Sequence, residues 1–209
     1  MSKLEIIGSP YSNFVRTARM AAREKGVAYE LIDTAPRSEQ AKALHPGGMI
    51  PGMRHGDRTL FESRAITRYI DEAFDGPSLT PREPYAAAQS EQWISYVATS
   101  VDRAMMRELV HAYFFSRNPD KSPDRTVIDR VKGKVEHQMQ VLGKAVEKTG
   151  YLSGETFGLA DMYVLPIIGQ SRATPEGKEA MAKAPSLLAY YEKQKSRPSF
   201  ADTMPPRGK

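Results

Sequence analysis

Hydrophobic and polar positions in the first 32 residues predict a strand, a helix and a second strand. Residues 3–7 form a short apolar run that ends at Gly8-Ser9-Pro10, which is typical of a buried strand. Segment 12–25 places small and apolar residues on one face at helical spacing, and Gly26 supplies its end. The run at 27–32 predicts another strand. Because strands joined by a helical crossover pair in parallel, we expect a right-handed βαβ unit.

A hairpin and a third helix are predicted next. The pattern indicates a short helix at 38–44, a break at 46–48, and strand segments at 52–54 and 58–61 joined by a tight turn. A helix is then expected from Glu62, because apolar residues recur on one face: Ala65, Ile66, Tyr69, Ile70, Ala73 and Phe74. The order up to this point is βαβ(α)ββα.

The rest of the chain predicts helices. Residues 75–84 are dense in proline and turn formers, so the expected domains are 1–76 and 85–209. Residues 85–116 predict one long helix or two, and another long helix follows the break at 118–123. Shorter helices are expected near 159–171, 176–184 and 186–196. The predicted fold class is an α/β N-terminal domain followed by an all-α C-terminal domain.

Composition narrows the classes of function. The chain has 209 residues, of which 40% are hydrophobic and 26% charged, as in ordinary globular proteins. No apolar run approaches the roughly 20 residues that span a bilayer, and the start lacks the apolar segment of a signal peptide. We therefore expect a cytoplasmic protein that does not bind membranes. The absence of cysteine excludes disulfides, thiolate metal sites and mechanisms that use a protein thiol.

Charge and histidine spacing point away from nucleic acids and metals. The net charge is +5 and the pI about 9.3. The basic residues are nevertheless scattered among acidic ones and form no block, so nucleic-acid binding is not favoured. Histidines 45, 55, 111 and 137 have no close ligand spacing, and no metal site is expected.

Two local features predict a ligand site. Proline follows Ile50 and restricts it to extended geometry, so its N–H and C=O are expected to face outward. Such a residue pairs with an extended, peptide-like ligand as one more strand would. Glu62 and Ser63 lie where a helix start presents free N–H groups. Together these features suggest a cradle for a small peptide.

The chain resembles the cytosolic glutathione transferases across nearly its whole length, and four stretches carry the resemblance. Each is short, but their order and spacing in a chain of the family's size support the assignment. The opening motif is similar to that of the serine-type classes (phi, tau and zeta), and we expect a bacterial member. The stretches are Gly8-Ser9-Pro10-Tyr11-Ser12 with Arg16 and Glu24-Lys25-Gly26, His45-Pro46-Gly47-Gly48-Met49-Ile50-Pro51, Leu60-Phe61-Glu62-Ser63-Arg64-Ala65-Ile66, and Gly158-Leu159-Ala160-Asp161.

The resemblance implies a thioredoxin-like first domain, a helical second domain and a homodimer. It also implies a cis bond at Ile50-Pro51, with the Ile50 backbone pairing with the cysteinyl part of glutathione, the co-substrate. Glu62 and Ser63 would bind the γ-glutamyl end. Asp161 is expected to cap a helix and to have only a structural role.

The reaction needs the thiolate of glutathione, and a thiol with a pKa near 8.5 is mostly protonated at neutral pH. A helix N-terminus and a hydroxyl donor both stabilise the anion. Ser12 lies between the first strand and the first helix, and counting back from Glu24-Lys25-Gly26 aligns it with the serine of the plant-type classes. Its alternative role is a plain helix cap. Tyr11 and Ser9 are the rival donors, more simply interpreted as pocket lining.

Two positions depart from the family pattern. Met49 stands where many members have a Lys or Gln that contacts the glycyl carboxylate. Losing that contact costs roughly one to two decades in affinity, unless Arg37, Lys42 or His45 replaces it. Gly158 stands where Ser or Thr is usual, a change that costs a helix start only a few tenths of a kcal/mol.

The electrophile's pocket is expected to be lined by Tyr11, Phe14, Met105 and His111, although these residues equally suit a plain core. The leading hypothesis is a glutathione transferase that conjugates small hydrophobic electrophiles, in detoxification. Ether cleavage, dehalogenation and peroxide reduction are variants of it. The alternative is a binding module that has kept the fold and lost the chemistry, which the Met49 departure favours.

Overall fold

The computed structural model describes residues 3–206, and the chain divides into two compact units. The first unit runs to Thr80 and takes in the chain again from Ser196, whereas the second is Pro81–Lys195. In the described part of the chain, no helix is long and apolar enough to cross a membrane.

The first unit contains a four-stranded mixed sheet with helices. In chain order its elements are β1 (Leu4–Ile7), α1 (Asn13–Glu24), β2 (Tyr29–Ile32), α2 (Glu39–Leu44), β3 (Gly52–His55), β4 (Arg58–Phe61) and α3 (Ser63–Ala73). The strand order is β2-β1-β3-β4, with β1 parallel to β2 and antiparallel to β3. The expected βαβ(α)ββα order is therefore confirmed.

The local sequence explains these elements. Leu4, Ile6 and Ile7 are almost fully buried in β1, as an apolar run predicts. In α1 every residue from Val15 to Ala22 is buried, polar residues included, so burial is not confined to the predicted apolar face, and Ser12 caps the start. Gly56 has a φ of 64° between β3 and β4, a conformation that glycine adopts at no steric cost in a two-residue hairpin.

The end of the chain belongs to the first unit, which differs from the predicted domain at 85–209. A short helix, named α10 below, spans Pro198–Ala201 and lies against α1. The Arg16 guanidinium, on α1, donates to the carbonyl oxygens of Phe200 and Thr203 at 3.4 and 3.0 Å. Arg197 forms a two-pronged pair with the Glu24 carboxylate at 2.6 and 2.7 Å. These polar contacts hold the last segment on α1.

The second unit is helical throughout its regular structure. Its elements are α4 (Pro84–Tyr96), a π-helical segment (Val97–Val110), α5 (His111–Phe114), α6 (Arg125–Thr149), α7 (Leu159–Ser171), α8 (Pro175–Ala182) and α9 (Pro185–Gln194). Buried α7 packs against α4 and the π-helical segment, while α6 packs against α8 and α9. The predicted fold class, an α/β domain followed by an all-α domain, is confirmed.

Asp161 organises the start of α7. Its carboxylate accepts from the backbone N–H groups of Leu152, Ser153 and Gly158 at 2.8, 3.2 and 3.0 Å, and from the Tyr190 hydroxyl at 2.6 Å. Burial raises the pKa of Asp161, and these hydrogen bonds oppose that rise. The predicted capping role is confirmed, and Gly158 itself supplies no side-chain cap.

Candidate functional site

One end of the sheet carries two of the predicted site residues, Pro51 and Glu62. Ile7 pairs with Gly52, and Gly52 pairs with Phe61, so the three strands end in one row. The residues just beyond that row are Gly8, Pro51 and Glu62. Neighbouring strands lie about 4.8 Å apart, which separates the outer two by about 10 Å. An extended tripeptide spans about the same length, roughly 10 Å.

Gly8 allows α1 and the Ile50 loop to approach this edge closely. It has a φ of 149°, and a Cβ built on it would lie 2.6 Å from Cγ2 of Val15 and 3.1 Å from Cβ of Ile50. Any larger residue would push these neighbours apart. The first turns of α1 and Ile50 are thus held beside the end of β1.

The peptide bond Ile50-Pro51 is cis, as the resemblance implied. Pro51 is buried and Ile50 is half-buried. Within residues 3–206 the backbone N–H and C=O of Ile50 make no hydrogen bond. A free donor and a free acceptor on one extended residue are what an added strand requires.

Ser12 caps α1 and keeps its donor available. Its φ and ψ are −75° and 127°, and its Oγ accepts from the Val15 N–H at 3.4 Å. Among the described residues the Ser12 hydroxyl donates to no acceptor. No acidic side chain lies in the first turn of α1, so the positive potential of the helix start is not offset there.

The rival donors lie nearby but have different surroundings. The Ser9 Oγ accepts from the Tyr11 N–H at 3.4 Å, and the Ser9 carbonyl accepts from the Ser12 N–H at 3.1 Å. Ser9 therefore shapes the loop before α1. Tyr11 is 53% exposed and Phe14 is half-buried. Ser12 has the clearest combination of a helix start and a free O–H.

Glu62 carries backbone strain at the start of α3. Its φ is 66° and its ψ 119°, which is uncommon for a residue other than glycine, and its side chain caps nothing. Strain of this kind clusters at ligand sites, where the surroundings hold it in place. The Glu62 carboxylate is 66% exposed and lies 3.1 Å from Nε2 of His45. Ser63, the first residue of α3, is half-buried.

The hydrogen bond between His45 and Glu62 has a defined direction. Nδ1 of His45 accepts from the Gly47 N–H at 2.9 Å, so a neutral ring carries its proton on Nε2 and donates it to Glu62. This leaves the other carboxylate oxygen of Glu62 open to a cationic ligand group.

Lys42, His45 and Arg37 are the candidates to replace the cation that is missing at position 49, and they are not equivalent. Lys42 is paired with Glu39 at 2.7 Å, and His45 is engaged by Glu62. Arg37 is exposed, and its guanidinium has no partner in the described chain. Its φ is 66°, and its N–H donates to the Gly48 carbonyl at 2.7 Å, which ties it to the loop before Met49.

Comparison with known proteins identifies the family of this chain. Residues 6–78 match the family profile for the glutathione S-transferase N-terminal domain, and residues 125–193 match that for the C-terminal domain. Glutathione S-transferase F9 of Arabidopsis thaliana is 30% identical, with 96% of each chain covered. The chain belongs to the glutathione S-transferase family.

Solved structures support the same assignment. Glutathione transferase F7 of Populus trichocarpa has a TM-score of 0.85 at 29% identity, with 96% of this chain and 97% of that chain covered. A theta-class enzyme from Xanthomonas axonopodis pv. citri, solved with glutathione bound, has a TM-score of 0.83 at 26% identity, with 98% of each chain covered. The predicted family and enzyme class, glutathione S-transferase, are confirmed. The expected bacterial origin stays a prediction.

The helical unit of this glutathione S-transferase holds the other predicted pocket residues. Met105 is fully buried within the π-helical segment. His111 is half-buried, with its ring edge-on to Phe115 at 5.0 Å. Burial, and then the charge of Arg107, lowers the pKa of His111, which favours the neutral ring. That Met105 and His111 line an electrophile pocket remains a prediction.

Sequence reasoning missed two features near these sites. Phe114 and Phe115 are 63% and 71% exposed at the end of α5, and an apolar pair before a turn was their only signal. Asn13, directly after Ser12, is buried with an unpaired side-chain oxygen. In the part of the chain that is described, no group of three or more His, Asp or Glu side chains could hold a metal ion.

Proposed function

We propose that this glutathione S-transferase binds glutathione along the sheet edge at Gly8, Pro51 and Glu62, and conjugates it to small hydrophobic electrophiles. The observation that carries the proposal is the pairing row of Ile7, Gly52 and Phe61. It puts Gly8, Pro51 and Glu62 side by side at one edge of the sheet, and Ser12, Ile50 and Ser63 are close to these three residues along the chain.

Each part of glutathione has a counterpart at this edge. The backbone of Ile50 pairs with the cysteinyl residue as an added strand would. Glu62 faces the γ-glutamyl ammonium, and Ser63, with the backbone N–H groups at the start of α3, faces the α-carboxylate. Arg37 binds the glycyl carboxylate in place of a cation at Met49. The bound glutathione with the theta-class structure supports this choice of ligand.

The chemistry follows from the position of the sulfur. At the start of α1, the Ser12 O–H donates to the sulfur and the helix dipole favours the anion, so the thiol loses its proton to solvent near neutral pH. The thiolate then forms a carbon–sulfur bond with the electrophile, which expels a leaving group or takes up a proton. Ser12 acts as a donor throughout and never as a nucleophile.

The alternative function is a binding module without turnover. One observation favours it: Met49 is 38% exposed where a cation or amide is expected, which weakens the glycyl end of the site. The homodimer, a cytoplasmic location and a role in detoxification belong to the transferase proposal and follow from the resemblance.

Calorimetric titration with glutathione, followed by an assay with a chlorodinitrobenzene-type electrophile, tests both functions. The transferase proposal expects binding in the micromolar to millimolar range and a rate that exceeds the uncatalysed rate. Glu62→Gln should weaken binding about three- to tenfold by removing the charge that faces the ammonium. Glu72→Gln, an exposed acid later in the same helix, is the control. Binding without turnover, or no binding at millimolar glutathione, would reject the transferase proposal and support the module.

A further inference from the structure

Asn13 is a buried polar side chain that the rest of the fold does not satisfy. It is the first residue of the 12-residue helix α1, and only 6% of it is exposed. Its Oδ1 is enclosed and has no hydrogen-bond partner among the described residues. Its backbone carbonyl accepts from the Thr17 hydroxyl at 3.0 Å, as an ordinary helical contact. The enclosed atom without a partner is therefore the side-chain oxygen, whereas the amide nitrogen is not among the enclosed unpaired atoms of the described residues.

An unpaired buried oxygen costs free energy, and native proteins keep few of them. An apolar residue of similar shape would remove that cost, so the amide at position 13 needs another explanation. Side chains in an α-helix tilt towards its N-terminus. From the first helical residue, that tilt takes the Cα–Cβ bond towards the helix start, where Ser12 lies.

We propose that the carboxamide of Asn13 is a second hydrogen-bond donor to the sulfur of bound glutathione, beside the hydroxyl of Ser12. This inference rests on the proposed function. A carboxamide has an acceptor at one end and two N–H donors at the other, and rotation about its last torsion exchanges them. With a sulfur anion at the helix start, the N–H end faces the ligand. Asn13 then contacts the reacting atom and counts as a catalytic residue.

Gln138 shows what a purely structural buried amide looks like in the same chain. It is 2% exposed and its Oε1 is also unpaired, but its Nε2 donates to the Ser100 carbonyl at 2.9 Å. That bond ties α6 to the π-helical segment. Gln138 lies in the other unit and serves as the matched control, because changing it removes a buried amide without touching α1.

The test is a pH titration of bound glutathione, followed by the ultraviolet absorbance of the thiolate, in the wild type, Asn13→Leu and Gln138→Met. S-methylglutathione, which has no ionisable thiol, reports binding alone. Asn13→Leu should raise the pKa of the bound thiol by about one unit, and so lower the thiolate fraction near neutral pH up to about tenfold. The affinity for S-methylglutathione should change less than about twofold. Gln138→Met should leave the thiol pKa at the wild-type value.

Asn13→Asp is a second variant of nearly the same shape, for use if Asn13→Leu does not fold. It replaces the donor with an acceptor, so it should raise the thiol pKa further than loss of the amide alone. An unchanged thiol pKa in folded Asn13 variants would overturn this inference and leave the proposed function intact. Failure of the wild type to bind S-methylglutathione at millimolar concentration would overturn both.

Discussion

The helix cap that Ser12 forms and the thiolate contact proposed for it would use different parts of one hydroxyl group. Its oxygen accepts from the Val15 N–H and caps α1, while its hydrogen stays available for a ligand. A cap and a thiolate donor are therefore compatible on one residue. The observed cap therefore does not exclude the proposed catalytic role.

Ser12→Ala should raise the pKa of the bound thiol by about one to two units, because one hydrogen bond to a charged group contributes about 1.5–3 kcal/mol. Turnover near neutral pH should fall about 10- to 100-fold and recover as pH rises above the new pKa. The affinity for S-methylglutathione should stay near wild type. The measurement is kcat against pH for both proteins. A variant with an unchanged pH profile would remove Ser12 from the reaction.

Arg37 and Met49 together bear on binding of the glycyl carboxylate. Met49→Lys should strengthen glutathione binding about three- to tenfold by restoring a cation near the glycyl carboxylate. Arg37→Ala should weaken binding by a similar factor in the wild type and by less in the Met49→Lys background, where the two cations share one role. Calorimetric titration of the four proteins measures this coupling.

The control for this cycle is Lys42→Ala, since Lys42 is already paired with Glu39. Equal losses for Arg37→Ala in both backgrounds would mean that Arg37 does not replace the missing cation.

Residue-level prediction succeeded where a backbone signature was present. Proline after Ile50 and the helix start at Glu62 are visible in the sequence, and the sheet register places both at one edge. The strain at Glu62 was not predictable, since nothing in its neighbours demands a positive φ. Asn13 was missed because its distinguishing feature, a missing partner, depends on the packing around it.

At the scale of elements, periodicity predicted the helices well and the last segment poorly. The predicted helix at 159–171 matches α7 residue for residue. Helix α10 has four residues, which is too few for a periodic pattern. Nothing in the sequence indicates that Arg197 pairs with the distant Glu24. The π-helical form of residues 97–110 was not predictable from the sequence either. Its buried residues Val97, Val101, Met105 and Leu109 recur every four positions, a spacing that an α-helix shares.

The contact of α10 with α1 predicts an acid-sensitive attachment of the last segment. Burial raises the pKa of Glu24, but the hydrogen bonds from Arg197 and Ser199 and the Arg197 charge outweigh it, so the pKa is lowered. A lowered pKa stabilises the fold above the unfolded value, near 4.5, and this contribution is lost as pH falls through the folded value.

Arg197→Ala should therefore lower the free energy of unfolding by about 1–2 kcal/mol at pH 7, because the Glu24 and Arg197 side chains are only 14% and 32% exposed. The melting temperature should fall by about 2–8 °C. Lys195→Ala, which breaks an exposed pair with Glu192, should cost less than about 0.5 kcal/mol. If the deficit of Arg197→Ala stayed constant from pH 7 to pH 3, the pairing would not be its cause.

At the scale of the whole molecule, net charge bears on the predicted homodimer. Each chain carries +5, so two copies repel one another at long range. Salt screens this repulsion, because the Debye length falls from about 30 Å at 0.01 M to about 8 Å at 0.15 M. Apolar association, in contrast, changes little over that range.

A dimer of this chain should consequently dissociate more readily at low salt. Light scattering after size exclusion should give twice the 23.3 kDa chain mass at 0.15 M salt, with the dissociation constant rising as salt is reduced towards 0.01 M. The opposite trend would mean that pairs of opposite charge hold the dimer, since screening weakens those contacts. A single-chain mass at every salt concentration and at micromolar protein would contradict the dimer itself. Active monomers would then place the whole glutathione site, from Ser12 to Glu62, within one chain.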